Sequence, residues 1–194
     1  MFAATEKSKY RDAIAVLGVT GARPAELERG VKVEVNDRGN LVFTIHGVKV
    51  HGGKYGQETR VLEINAQTRD AQHLVDQVKE RGEFVVHANA GALSDRVRHL
   101  SKTVFPRYKE RVSSYVYRHQ VSADLKASGA SSTDVSTALG HSSDETKRYY
   151  GSGQSSRGGN QFVSIQGSQL VREKTLAKMQ SLENSRERRY GVER

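Results

Sequence analysis

Four side chains suited to phosphate chemistry are spread along this 194-residue chain. They are Arg23 in Thr20-Gly21-Ala22-Arg23-Pro24-Ala25-Glu26-Leu27, Arg118 in Tyr115-Val116-Tyr117-Arg118-His119, His141 in Leu139-Gly140-His141, and Tyr150 in Tyr149-Tyr150-Gly151. A phosphodiester attacked by a phenol oxygen passes through a pentacoordinate state rich in negative charge, and fixed guanidinium groups stabilise that charge without a metal. Two arginines, a histidine and a tyrosine therefore make chemical sense as one machine, provided the fold brings them together.

The elements that would carry them can be read from periodicity. Tyr10, Ala13, Ile14, Val16 and Leu17 recur at helical spacing, so a helix over Lys9 to Leu17 is expected to end where Gly18 and Gly21 interrupt the pattern. Arg23 then sits on a loop, and Pro24 suits the first turn of a helix over Pro24 to Arg29 that Gly30 stops. Val31 to Val35, Leu41 to Ile45 and Arg60 to Ile64 alternate apolar and polar side chains. With the turns Asp37-Arg38-Gly39-Asn40 and His51-Gly52-Gly53-Lys54-Tyr55-Gly56 they predict a small three-stranded antiparallel sheet. Further helices are expected at Gln67 to Arg81, Ala92 to Val104, Ser113 to Ser128, Ser132 to Leu139 and Asp144 to Tyr150, with Ser131 as a cap and Gly129 and Gly140 as stops. Gly151 to Asn160 reads as a mobile Gly/Ser linker, Phe162 to Ile165 as a short strand, and Ser168 to Arg189 as a tail helix with Leu170, Val171, Leu176, Met179 and Leu182 on one stripe.

Composition narrows the class. The length suits one domain, or one domain with an appendage. A net charge of +9 and a pI near 9.8 point to a polyanionic partner. The chain has no cysteine, so disulfide frameworks and thiolate metal sites are excluded. No apolar run approaches the ~20 residues of a membrane span, and the first residues lack a signal-peptide core; a soluble, cytoplasmic protein is expected. His46, His51, His73, His87 and His99 lack the His-Glu-x-x-His spacing of a zinc site, and the Gly47 to Gly56 stretch lacks the Gly-Lys-Ser/Thr ending of a nucleotide loop, so no metal or cofactor is expected. Lys102, Arg107, Lys109 and Arg111, interleaved with Phe105 and Tyr108, form a basic stretch fit for the DNA backbone.

Thr-Gly-x-Arg-x-x-Glu-Leu around Arg23, Arg118 in mid-chain, and Leu-Gly-His followed nine residues later by Tyr150 stand in the order of the tyrosine recombinase (phage integrase) catalytic domain, which residues 8 to 151 resemble. The resemblance implies an α+β fold, mostly helical, with a small three-stranded sheet on one edge. It implies a catalytic domain over 1–151, a linker and helical tail over 152–194, and double-stranded DNA as partner. By the same resemblance Arg23 and Arg118 clamp the phosphate, His141 hydrogen-bonds it, and Tyr150, rather than Tyr149, is the nucleophile. A lysine on the turn between the second and third strands is the general acid: Lys49, with Lys54 as the alternative and otherwise a phosphate contact.

The family's usual histidine three residues before the second arginine is Tyr115 here. A phenol, ordinarily titrating near 10, is a poor base at neutral pH, so this position is read as a polar site residue able to relay a proton. His119 is read as a buried structural hydrogen-bonder, and Glu26 as the partner that orients Arg23.

The resemblance implies DNA strand exchange through a 3′-phosphotyrosyl intermediate. The alternatives are relaxation of the type IB topoisomerase kind and a DNA-binding accessory protein that has lost catalysis. The catalytic pattern begins within the first few residues, so the family's N-terminal DNA-clamping domain is expected to be absent, through truncation or in a natural minimal version, and weak and strongly salt-dependent DNA affinity is expected in either case. The tail is expected to dock on a neighbouring protomer on DNA, and the isolated chain to be monomeric.

Overall fold

In the computed structural model the described residues are 1–48, 50, 56–109, 112–144, 150–156, 158–159 and 161–172. Among them are six α-helices and five strands in one α+β body, and no helix is long and apolar enough to cross a membrane.

Helix α1 (Arg11–Thr20) runs through the middle of the molecule, with Ile14, Ala15, Val16 and Leu17 fully buried. It continues past Gly18, against the expectation that this glycine breaks it. A Cβ at Gly18 would lie 2.3 Å from Asp70 Oδ2, so the missing side chain admits the start of helix α3 (Arg69–Arg81). Gly21, at φ 64°, ends the helix instead. Helix α2 (Pro24–Arg29) follows at once, with Pro24 in its first turn and Glu26 accepting from the Arg23 backbone N–H at 2.8 Å. Only this carboxylate half of a capping box is available, because a guanidinium cannot accept a hydrogen bond.

Strands β1 (Val31–Val35), β2 (Leu41–His46) and β3 (Thr59–Asn65) form the expected antiparallel meander, with Val33 opposite Phe43 and Phe43 opposite Leu62. The sheet, however, has five strands in the order β4-β1-β2-β3-β5, not three. Strand β4 (Phe84–Val86) pairs with β1 on one side, and β5 (Gln161–Gly167) with β3 on the other. Three-residue β4 is too short to show a period in sequence. The segment expected in a detached tail thus completes the sheet of the same body, with Leu62 opposite Ile165.

Helices α3, α4 (Ala90–Val104), α5 (Tyr115–Ala127) and α6 (Ser132–Ala138) lie close to their expected positions. Thr68, Asn89 and Ser131 cap α3, α4 and α6 through their side chains. Of the expected helix from Asp144 to Tyr150, residues 145–149 lie outside the described ones. The expected mobile linker instead holds a short 3-10 turn, Gly153–Ser155, and Ser156 Oγ donates to Asp124 of α5 at 2.7 Å. Residues 168–172 are not helical: Arg172 forms a parallel bridge with Ser143, while 173–194, the rest of the expected tail helix, lie outside the described residues.

Candidate functional site

Arg118 lies on the inner face of α5 and is 1% exposed. Its Nη1 donates to the Gly21 carbonyl at 2.9 Å, just past the end of α1, and Nη2 donates to the Leu139 carbonyl and meets His141 Nε2 at 2.9 Å. The end of α6 explains why His141 is there. Gly140 N bonds the Thr137 carbonyl and His141 N the Ser136 carbonyl, both at 2.8 Å, a Schellman ending that needs the left-handed φ of 67° at Gly140. The chain reverses there and His141 turns inward, 6% exposed.

An acceptor role at Nε2 toward Arg118 leaves the proton of neutral His141 on Nδ1. Burial first, then the charges of Arg118, Arg23 and Arg60, push its pKa down to about 3. Burial and the neighbouring Arg23 and Arg60 also lower Arg118, to about 10, so it stays cationic at neutral pH. His141 Nδ1 and Arg118 Nε are buried nitrogens without a hydrogen-bond partner among the described residues.

Tyr150 comes from a third stretch of chain. Its ring lies 5.4 Å from that of His141 and 5.3 Å from that of His119, with the Arg118 guanidinium 5.0 Å over it. Helix α5 holds its backbone: Lys126 Nζ donates to the Tyr150 carbonyl and, at 2.5 Å, to that of Gly151, while Gly151 N donates to His119 Nδ1 at 3.2 Å. His119 is therefore a structural hydrogen-bonder as expected, but an exposed one.

Arg23 approaches from the start of α2, its side chain 11% exposed and its Nη1 2.8 Å from Glu26 Oε1. Glu26 is fully buried and also accepts from Nη1 and Nη2 of Arg60, at 3.1 and 2.8 Å. Burial alone would raise the Glu26 pKa; the Arg60 ion pair and hydrogen bonds, aided by Arg23, outweigh it and bring it down to about 2. Arg60 Nε donates to the Ala138 carbonyl at 2.9 Å.

Arg60 and Lys126 are the residues that sequence reasoning missed. For Arg60 a signal existed, since it shares the parity of Leu62 and Ile64, the buried face of β3, where it stands opposite Ile45. Lys126 carries no such signal, because its partners are backbone carbonyls far along the chain.

The other expected residues are placed differently. Tyr115 opens α5, is 39% exposed, and its hydroxyl makes no hydrogen bond among the described residues. Lys49, Lys54 and Arg111 lie outside the described residues; the first two belong to the connection between β2 and β3. Lys102, Arg107 and Lys109 are exposed around the end of α4. Phe105 and Tyr108 in that stretch line a cavity of about 690 Å³ with Val116, Tyr117 and Gln120 of α5, away from the four polar residues. Among the described residues no group of three or more His, Asp or Glu could hold a metal.

Compared with known proteins, the chain matches no family model, no curated protein and no solved structure.

Proposed function

We propose that this protein cleaves and rejoins DNA through a 3′-phosphotyrosyl intermediate, as its likeness to tyrosine recombinases suggests. The observation that carries the reading is the meeting of Arg118, His141 and Tyr150, from three separate stretches, within 2.9 to 5.4 Å of one another. Buried donors without partners cost about 1–3 kcal/mol each. Among the described residues Arg118 Nε and the Nδ1–H of His141 are such donors, and an anionic phosphate oxygen would satisfy them.

In this reading the Tyr150 oxygen forms a bond to phosphorus and loses its proton, the bond from phosphorus to the 5′ oxygen breaks, and that oxygen takes a proton. Proton delivery falls to Lys49, or to Lys54, by the likeness. Attack by a 5′ hydroxyl on the phosphotyrosine reverses each change, so bond energy is conserved. The excess of positive charge supports a DNA substrate. A nicked suicide duplex tests the reading: the wild-type chain is expected to form a covalent adduct that survives denaturation. Tyr150→Phe should abolish the adduct and keep DNA binding within about 3-fold, a change below 1 kcal/mol. Undiminished trapping by Tyr150→Phe would exclude this nucleophile.

A further inference from the structure

Arg60 is the feature that the chemistry above leaves unused. A guanidinium occupies a position of the buried sheet face whose neighbours in the strand are Leu62 and Ile64, and it is 1% exposed. Replacing a buried ion pair by apolar residues of similar volume is often neutral or stabilising, so stability alone gives little reason for an arginine here. Its geometry gives another. One end forks onto both oxygens of Glu26, whose Oε1 also receives the Arg23 guanidinium and whose Oε2 receives the Arg23 N–H. The other end, Nε, holds the Ala138 carbonyl in the last turn of α6, three residues before His141. The fit is tight: a Cβ at Gly140 would lie 2.8 Å from Arg60 Nη1. One planar side chain thus ties the segment bearing Arg23 to the turn bearing His141.

We propose that Arg60 is a positioning residue that sets Arg23, through Glu26, and His141, through the end of α6, at one fixed separation. The proposal rests on the phosphoryl-transfer reading for its consequence in rate, but not for its geometry. Arg60→Lys keeps the charge and loses the fork, and Arg60→Met loses both. Misplacing phosphate-holding groups by about 1 Å costs up to about 100-fold in rate. Arg60→Lys should therefore slow single-turnover cleavage of the nicked duplex about 10- to 100-fold while DNA affinity changes less than about 3-fold. Arg60→Met should show the same split and also move the His141 titration upward, since the Arg60 charge is among those that lower it.

A readout independent of cleavage is the order parameter of the Arg23 Nε–H by NMR, which should fall in Arg60→Lys. A wild-type chain that forms no adduct sinks the phosphoryl-transfer reading, and Arg60 is then judged by the Arg23 order parameter. An unchanged order parameter in folded Arg60→Lys, or a cleavage rate within about 2-fold of wild type, overturns the positioning role. If Arg60→Met does not fold, Arg60→Lys carries the test.

Discussion

Arg23 and Arg118 reach the site from regions built on different principles. Around α2 and β3 the arginines are anchored by a carboxylate: Glu26 accepts from Arg23 and Arg60, and every atom of that carboxylate is buried. Around α5 and the end of α6, Arg118 is anchored by the carbonyls of Gly21 and Leu139 and by neutral His141. The first region sets two guanidiniums on one buried carboxylate and is held by ion pairs. The second is held by dipoles, and its Arg118 Nε and His141 Nδ1 have no hydrogen-bond partner among the described residues.

The contrast can be broken by removing each anchor. Glu26→Leu leaves Arg60 buried without its carboxylate and should cost about 3–5 kcal/mol in urea unfolding. Arg118→Met leaves the Gly21 and Leu139 carbonyls unpaired, at about 1–3 kcal/mol each, but also removes the desolvation penalty of a buried guanidinium anchored by dipoles, so its net loss should be the smaller of the two. Equal losses would erase the distinction between the two regions.

Acid separates the regions by pH window. The folded pKa of His141 is about 3 against an ordinary 6.5, so the unfolded chain takes up the proton first, and the stability present above pH 6.5 is lost as pH falls toward 3. The folded pKa of Glu26 is about 2 against 4.5, so its contribution is present above pH 4.5 and is lost only below that. Between pH 6.5 and 4.5 the unfolding free energy should therefore fall by up to about 1.4 kcal/mol per unit on account of His141. His141→Asn should flatten that slope, and a slope left intact would show that another group titrates there.

Gly140 lies where the two regions meet. Gly140→Ala should cost about 1–2 kcal/mol from the left-handed backbone alone, with a further loss as the new Cβ displaces Arg60. If the loss does not exceed that of Gly39→Ala, at φ 78° with nothing within 4 Å of a Cβ, the Arg60 contact is not tight. At the small end, Arg98→Ala removes an exposed pair with Asp95 on α4 and should change stability by less than about 0.5 kcal/mol, which calibrates what an ion pair is worth outside the buried seam.

Legibility followed the range of the forces involved. Helices α2 to α6 and strands β1 to β3 were readable because capping, glycine stops and side-chain period act within a few residues; Ser131 capping α6 and Gly140 ending it are examples. The expectation failed where a partner remote in sequence decides. Gly18 reads as a breaker until Asp70 is seen against it, and β5, readable as a short strand, reads as part of a detached tail until β3 offers its edge. Of the site, the motif residues could be named from order and spacing, but Tyr115, chosen by the same counting, faces solvent at the start of α5.

By itself the sequence determined the residue types able to do phosphate chemistry, the order in which they come, and the local elements that bear them, because those follow from side-chain chemistry and short-range backbone preference. Only the tertiary structure decided that Arg118, His141 and Tyr150 share one place, that Arg60 ties Arg23, through Glu26, to the end of α6, and that the segment after Gly151 closes the sheet. Burial is the physical reason. A guanidinium on a strand has no assigned partner until folding removes water from around it, and the carboxylate and carbonyls left within reach then become its ligands.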